Sequence, residues 1–136
     1  MMPDLLFDAS SLVKALKLGR VELLYRSYAQ WLTFYEVLNA VWKEVYLSKT
    51  ISAGRAVELA RLLNRVARFM RVLSVEGLEE EVLRTAIELG LTAYDSSYVV
   101  LAQKFNLKLV TEDEELKAKA RKLVKCASVE ELMEAG

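Results

Sequence analysis

Apolar residues along the chain switch between short runs and helical spacing. "LLFD", Leu5 to Asp8, is a run suited to a buried strand that stops at an acid, and Ser10 to Lys17 predicts a short helix. "YAQWLT", Tyr28 to Thr33, alternates loosely and predicts a second strand. From Phe34 to Leu47 the apolar residues Phe34, Val37, Leu38, Val41, Trp42 and Val45 recur at helical spacing. Ser52 caps another helical stretch to about Met70, whose apolar positions are Val57, Ala60, Leu62, Leu63, Val66 and Phe69. "RVLSV", Arg71 to Val75, predicts a third strand, and Gly77 to Leu89 a helix ended by Gly90. Thr92 opens an apolar helix through about Phe105, and "LKLVT", Leu107 to Thr111, predicts a fourth strand. A charged helix from Glu112 to Lys122, a short strand in "VKCAS" and a last helix from Val129 to Ala135 complete the pattern. Strands separated by helices require crossover connections. The expected fold class is therefore α/β, a mostly parallel central sheet flanked by helices.

No linker, repeat or low-complexity tract interrupts the 136 residues, so residues 1–136 are expected to form a single domain with a real core. Hydrophobic residues make up 54% and charged residues 28%, which is a globular composition. The apolar share is high for this size, as expected of a chain partly covered by another chain. With 19 basic and 19 acidic residues the net charge is zero, so any nucleic-acid contact must be local. One cysteine, Cys126, excludes a disulfide framework within the chain and fits a reducing compartment. The absence of histidine, beside that lone cysteine, excludes zinc sites and Ser-His or Cys-His catalysis. Carboxylates, hydroxyls, lysines and arginines remain for chemistry. Asp4 and Asp8 break the early apolar run, so no signal peptide or membrane span is expected, and the chain reads as cytoplasmic.

Ligands of open α/β sheets bind outside the carboxyl ends of the strands. Asp8 ends the first strand and Asp113 lies just past the fourth. Asp95 and Glu36 fall in the first turns of the helices opened at Thr92 and Thr33. Each acid alone has a bland explanation: Thr33 with Glu36, Thr92 with Asp95 and Thr111 with Glu114 match the capping box. Asp8 can cap the first helix, and Asp113 favours a helix dipole. Together they fit that account less well. Asp95 enters the apolar run Tyr98, Val99, Val100, Leu101, and Glu36 follows two aromatic residues. Buried carboxylates need partners, and only Lys14 and Lys43 are near in sequence. A divalent cation would neutralise the cluster, and oxygen ligands select magnesium or manganese.

The order "LLFDASSLVK", "TFYEVLNAVWK", "LTAYDSSYVVLAQKFNLKLVTEDEEL" closely resembles the PIN-domain nucleases, in particular the VapC-like toxins of toxin–antitoxin pairs. The resemblance spans essentially the whole chain and implies a PIN-like fold. Carried over by position, Asp8, Glu36, Asp95 and Asp113 match the family's metal-binding acids. Ser10 and Thr111 match hydroxyls that orient them, and Asn39 matches a polar position that shares a helix face with Glu36. Glu112 and Glu114 flank Asp113, and Asp113 has the family's spacing. The resemblance further implies an endoribonuclease using magnesium or manganese to hydrolyse RNA phosphodiester bonds. It also implies a homodimer and a cognate antitoxin that covers the acidic site.

Arg61, Arg65, Arg68 and Arg71 are expected near one helix face, where they could track an RNA backbone. Lys117, Lys119, Arg121, Lys122 and Lys125 form another basic cluster; solvated helix faces are the simpler explanation of either cluster alone. Tyr25, Tyr28, Trp31, Phe34, Tyr35, Trp42 and Tyr46 are expected in the core or an interface. Two alternatives stand beside the toxin reading: a housekeeping RNA-processing PIN nuclease, and a catalytically silent PIN-like binding module. A phosphatase would want an acid where Ser10 stands, and a receiver domain an acidic pair before its phosphorylated aspartate. If the acids converge and repel, Asp8→Asn is expected to melt at or above the wild type without metal.

Overall fold

The structure is a computed structural model that describes residues 4–135; the ends of the expected domain, residues 1–3 and 136, lie outside the described residues. The strands β1 (Leu5–Phe7), β2 (Tyr28–Gln30), β3 (Arg71–Leu73), β4 (Lys108–Val110) and β5 (Cys126–Ala127) form one sheet in the order β3-β2-β1-β4-β5. Every pairing is parallel, with Leu6 opposite Tyr28 and Leu109, and Val110 opposite Phe7 and Ala127. Parallel neighbours need crossovers, supplied by helices α1 (Ala9–Lys17), α2 (Trp31–Tyr46), α3 (Ala53–Ala67), α4 (Glu79–Leu89), α5 (Ala93–Lys104), α6 (Glu114–Ala120) and α7 (Val129–Ala135).

Successive strand side chains point to opposite faces, and the core divides accordingly. Phe7, Ala29, Val110 and Ala127 pack with α1, α2, α3 and α7 residues such as Leu12, Val37, Leu63 and Leu132. Leu6 and Leu109 face the other way, against Leu89, Tyr98, Leu101 and Leu116 of α4, α5 and α6. Full burial of each large apolar side chain contributes roughly 1.5–3 kcal/mol. Covered on both faces, β1 reads as an unbroken apolar run.

The structure moves one boundary that matters. β2 ends at Gln30 and α2 starts at Trp31, not at Phe34, because Thr33 Oγ1 accepts the Gln30 backbone N–H at 3.1 Å and turns the chain into a helix there. Glu36 therefore lies in the second turn, and no Thr33–Glu36 box forms. The supposed alternation of "WLT" is the first turn of an amphipathic helix, with Trp31 exposed and Thr33 buried. At α6 the cap is Asp113, whose Oδ1 accepts the N–H groups of Glu115 and Leu116 at 3.0 and 3.1 Å, rather than Thr111 paired with Glu114. Thr92 caps α5 as expected, accepting the Asp95 N–H at 3.1 Å. Gly90 closes α4 in the left-handed conformation, φ 68°, that favours glycine.

The aromatic expectation divides. Tyr25, Trp31, Tyr35, Trp42 and Tyr46 are exposed, while Tyr28 and Phe34 are partly buried. Trp31, Tyr35, Leu38, Trp42 and Tyr46 make one apolar stripe along α2, and Leu83 and Ile87 another on α4. Among the described residues no helix is long and apolar enough to cross a membrane.

Candidate active site

The strand order reverses at β1, so the crevice between the carboxyl ends of β1 and β4 is where this topology places a ligand. Asp8 emerges there, 6% exposed, with its backbone N–H on the Val110 carbonyl at 3.2 Å. Its Oδ1 accepts Ser10 Oγ at 2.7 Å and the Ser11 N–H at 3.0 Å, and its Oδ2 accepts Thr111 Oγ1. Ser11 Oγ donates to the Val110 carbonyl at 2.6 Å and lies 3.0 Å from Asp8 Oδ1. Asp8 is thus the N-cap of α1 and the pivot of the crevice at once. The same hydroxyls pin the loop after β4. Ser10 Oγ accepts the Glu112 N–H at 3.0 Å, and Thr111 Oγ1 accepts the Asp113 N–H at 3.1 Å.

Glu36 reaches the site from α2, half-buried, with Tyr98 Oη donating to its Oε1 at 2.7 Å. Burial raises its pKa above the ordinary value; the Tyr98 hydrogen bond opposes this, and the charges of Asp95 and Asp8 add to it. Asp95 enters from the first turn of α5. Burial raises its pKa as well, and Asp113, Asp8 and Glu115 push the same way. Glu36 thus feels the charges of Asp8 and Asp95, and Asp95 those of Asp8 and Asp113. Asp95, Asp113, Glu115 and Thr92 line a cleft of about 130 Å³.

None of the four is ion-paired among the described residues. The donor set is entirely carboxylate and hydroxyl oxygen, which suits a hard divalent cation. Among the described residues no three His, Cys, Asp or Glu side chains stand close enough to hold a metal directly. An ion that keeps several of its waters, as magnesium does, fits such a spread better than a caged one.

Other expected residues fall differently. Asn39 lies exposed on α2, one turn past Glu36, and bonds none of the four acids among the described residues. Glu112 Oε2 accepts the Val129 N–H at 2.8 Å and so is tied to α7; Glu114 is exposed. Arg71 is not on the α3 face: it lies on β3, where it donates to Tyr28 Oη at 2.8 Å and sits 5.5 Å over that ring. Arg61, Arg65 and Arg68 remain exposed along α3 and its C-terminus. Lys117 leaves the basic cluster, because it is buried and paired with Glu131. Ser11, Tyr98 and Glu115 join the site without a motif to announce them, and Thr33, expected as a capping partner of Glu36, bonds Tyr98 instead. Spacing carried a signal for two of them: Thr33 precedes Glu36 by three residues and Tyr98 follows Asp95 by three, each sharing its acid's helix face.

The chain is 33% identical to PAE2754 of Pyrobaculum aerophilum, a crystal structure that superposes with a TM-score of 0.79 over 98% of this chain and 94% of that one. Exonuclease VapC9 of the same organism is 44% identical over 90 residues, 66% of this chain and 64% of its own length. The match therefore spans less than two thirds of that relative. Ribonuclease VapC3, also from Pyrobaculum aerophilum, is 33% identical over 96 residues, 68% of this chain and 70% of its own length. The family model for the PIN domain matches residues 5–122, a span running from β1 through α6 that holds every acid of the crevice, and the chain belongs to the PIN-domain family.

Proposed function

We propose that the protein is a metal-dependent ribonuclease, a VapC-like toxin that hydrolyses RNA phosphodiester bonds and is held inactive by a cognate antitoxin in the cytoplasm. The observation that supports this reading is the charge that Asp8 and Asp95 exert on Glu36, and Asp8 and Asp113 on Asp95, near the switch point of a parallel sheet, with none of the four ion-paired among the described residues. Asp8, Glu36, Asp95 and Asp113 would hold hydrated magnesium or manganese, largely through waters that the ion keeps. When bound, the ion supplies a water of lowered pKa and offsets charge on the phosphate. Ser10, Ser11 and Thr111 keep Asp8 aimed from below. Asp113 stays fixed by capping α6 with one oxygen. The exposed Arg61, Arg65 and Arg68 offer phosphate contacts. No side chain needs to act as a general base, which suits a chain without histidine.

Purified protein should cut single-stranded RNA with magnesium or manganese and lose that activity in excess EDTA. Asp8→Asn and Asp95→Asn should each lower the rate by at least about a hundredfold. Undiminished cutting in EDTA, or full activity of both variants, overturns the reading. The relative VapC9 is named an exonuclease, which favours a second mode, digestion from an end. A circular RNA separates the two: internal cutting linearises it, and an exonuclease leaves it intact.

The exposed stripes of α2 and α4 are surfaces that a second copy and the antitoxin would bury. Light scattering should give about twice the 15.4 kDa chain mass. A monomer at every concentration up to tens of micromolar would remove the homodimer.

A further inference from the structure

Glu36 carries the longest of the four metal-site side chains, and its orientation is set by groups outside the carboxylate set. Thr33 Oγ1 accepts the Gln30 backbone N–H at 3.1 Å, lies 2.9 Å from Tyr98 Oη, and Tyr98 Oη lies 2.7 Å from Glu36 Oε1. Each hydroxyl has one proton to give. An ionised Glu36 only accepts, so the Tyr98 proton goes to it. The Thr33 proton then goes to the Tyr98 oxygen, and the Thr33 oxygen takes the backbone N–H. A single assignment satisfies all three bonds.

We propose that Tyr98 is a positioning residue for Glu36, the last member of a hydroxyl relay that starts at the Gln30 backbone and aims the carboxylate at the site. The proposal rests on the reading of Glu36 as a metal ligand. Thr33 is 0% and Tyr98 1% exposed, so water does not stand in for either. The relay joins two helices that sit on opposite faces of the sheet. Thr33 and Glu36 belong to α2; Tyr98 belongs to α5, one turn beyond Asp95. Fixing Tyr98 against Glu36 therefore sets the position of Glu36 relative to Asp95. Among the described residues no other group donates to Glu36, and Oε2 is left for the ligand.

Tyr98→Phe removes one oxygen and keeps the ring in its core of Leu6, Leu109 and Leu116. Manganese affinity, read by electron paramagnetic resonance, should fall about tenfold, and kcat on RNA should fall by a similar factor with KM unchanged. Thr33→Val should weaken manganese binding less, and Thr33→Ser should restore it. Glu36→Gln should cost less affinity in the Tyr98→Phe background than in the wild type, because the two act through one contact. If Glu36→Gln weakens manganese binding and Tyr98→Phe, or Thr33→Val where the former does not fold, leaves it at the wild-type value, the relay alone is overturned. If Glu36→Gln itself binds manganese as the wild type does, Glu36 is no ligand and both claims fall. A lowered melting temperature with wild-type manganese affinity would mark Tyr98 as a core residue only, and also overturns the proposal.

Discussion

Asp8 accepts hydrogen bonds from Ser10, Ser11 and Thr111, whereas no donor reaches the Asp95 carboxylate among the described residues. The two acids should therefore respond oppositely to loss of charge. Asparagine at position 8 would present an amide NH2 to hydroxyls that now donate, so Asp8→Asn should lose about 1–2 kcal/mol in EDTA, or about 3–8 °C in melting temperature. This reverses the expectation from sequence alone, in which relief of repulsion was the whole effect. Asp95→Asn keeps the Thr92 cap, which uses the backbone N–H, and sheds a charge that burial and three acids oppose; it should melt above the wild type. Thermal melts of both variants in EDTA check this. Asp8→Asn at or above the wild type would mean that its hydrogen bonds are replaced without loss. At this scale Asp8, Asp95 and Asp113 stood out in the sequence because each follows a strand or opens a helix, whereas Glu36 lies a turn deeper in its helix than the spacing predicts. The groups that hold them stood out less. A buried Thr33 or Tyr98 looks in sequence like a cap or a core residue, since its partner lies 65 or 62 residues away.

Element by element, the helices with strong punctuation were readable: Ser52 opens α3, Thr92 opens α5 and Gly90 closes α4, each by a local contact. The strands are two or three residues long, too short for period to fix their ends. The cost shows at β2, where three residues of helix were read as strand. That shift carries consequences for chemistry. Starting α2 at Trp31 puts Thr33 and Glu36 one turn apart on the face turned to Tyr98, which a start at Phe34 would not do. The same shift sets the phase of the exposed stripe, because Trp31 joins Tyr35, Leu38, Trp42 and Tyr46 only as part of the helix. Core membership of α5 was legible from its all-round apolar run. The exposure of the α2 aromatics was not, because an apolar stripe destined for the core and one destined for a partner have the same spacing.

For the whole molecule, the parallel sheet followed from alternating elements, but the strand order did not, since pairing of β1 with β4 joins residues more than a hundred positions apart. That pairing is what gathers the acids, and it gives the folded chain a pH dependence of unusual sign. Glu36 and Asp95 titrate above their ordinary values of 4.5 and 3.8 when folded. Between the unfolded and folded values the folded state binds more protons than the unfolded one, so stability falls as pH rises through the folded pKa. Below the unfolded values the contribution is fully present. Glu22 and Glu131 behave in the opposite way, held low by hydrogen bonds from Arg20 and Lys117, and lose their contribution on acidification. A comparison with the double variant Glu36→Gln/Asp95→Asn cancels those shared terms. In EDTA the wild type should fall progressively below the variant in melting temperature as pH rises from about 4 to about 7. At neutral pH, magnesium at about tenfold over its dissociation constant should return about 1.4 kcal/mol to the wild type, or roughly 3–6 °C. The variant should gain little. Curves that run parallel across this range, with equal gains from magnesium, would show that the acids of the crevice neither repel one another nor share an ion.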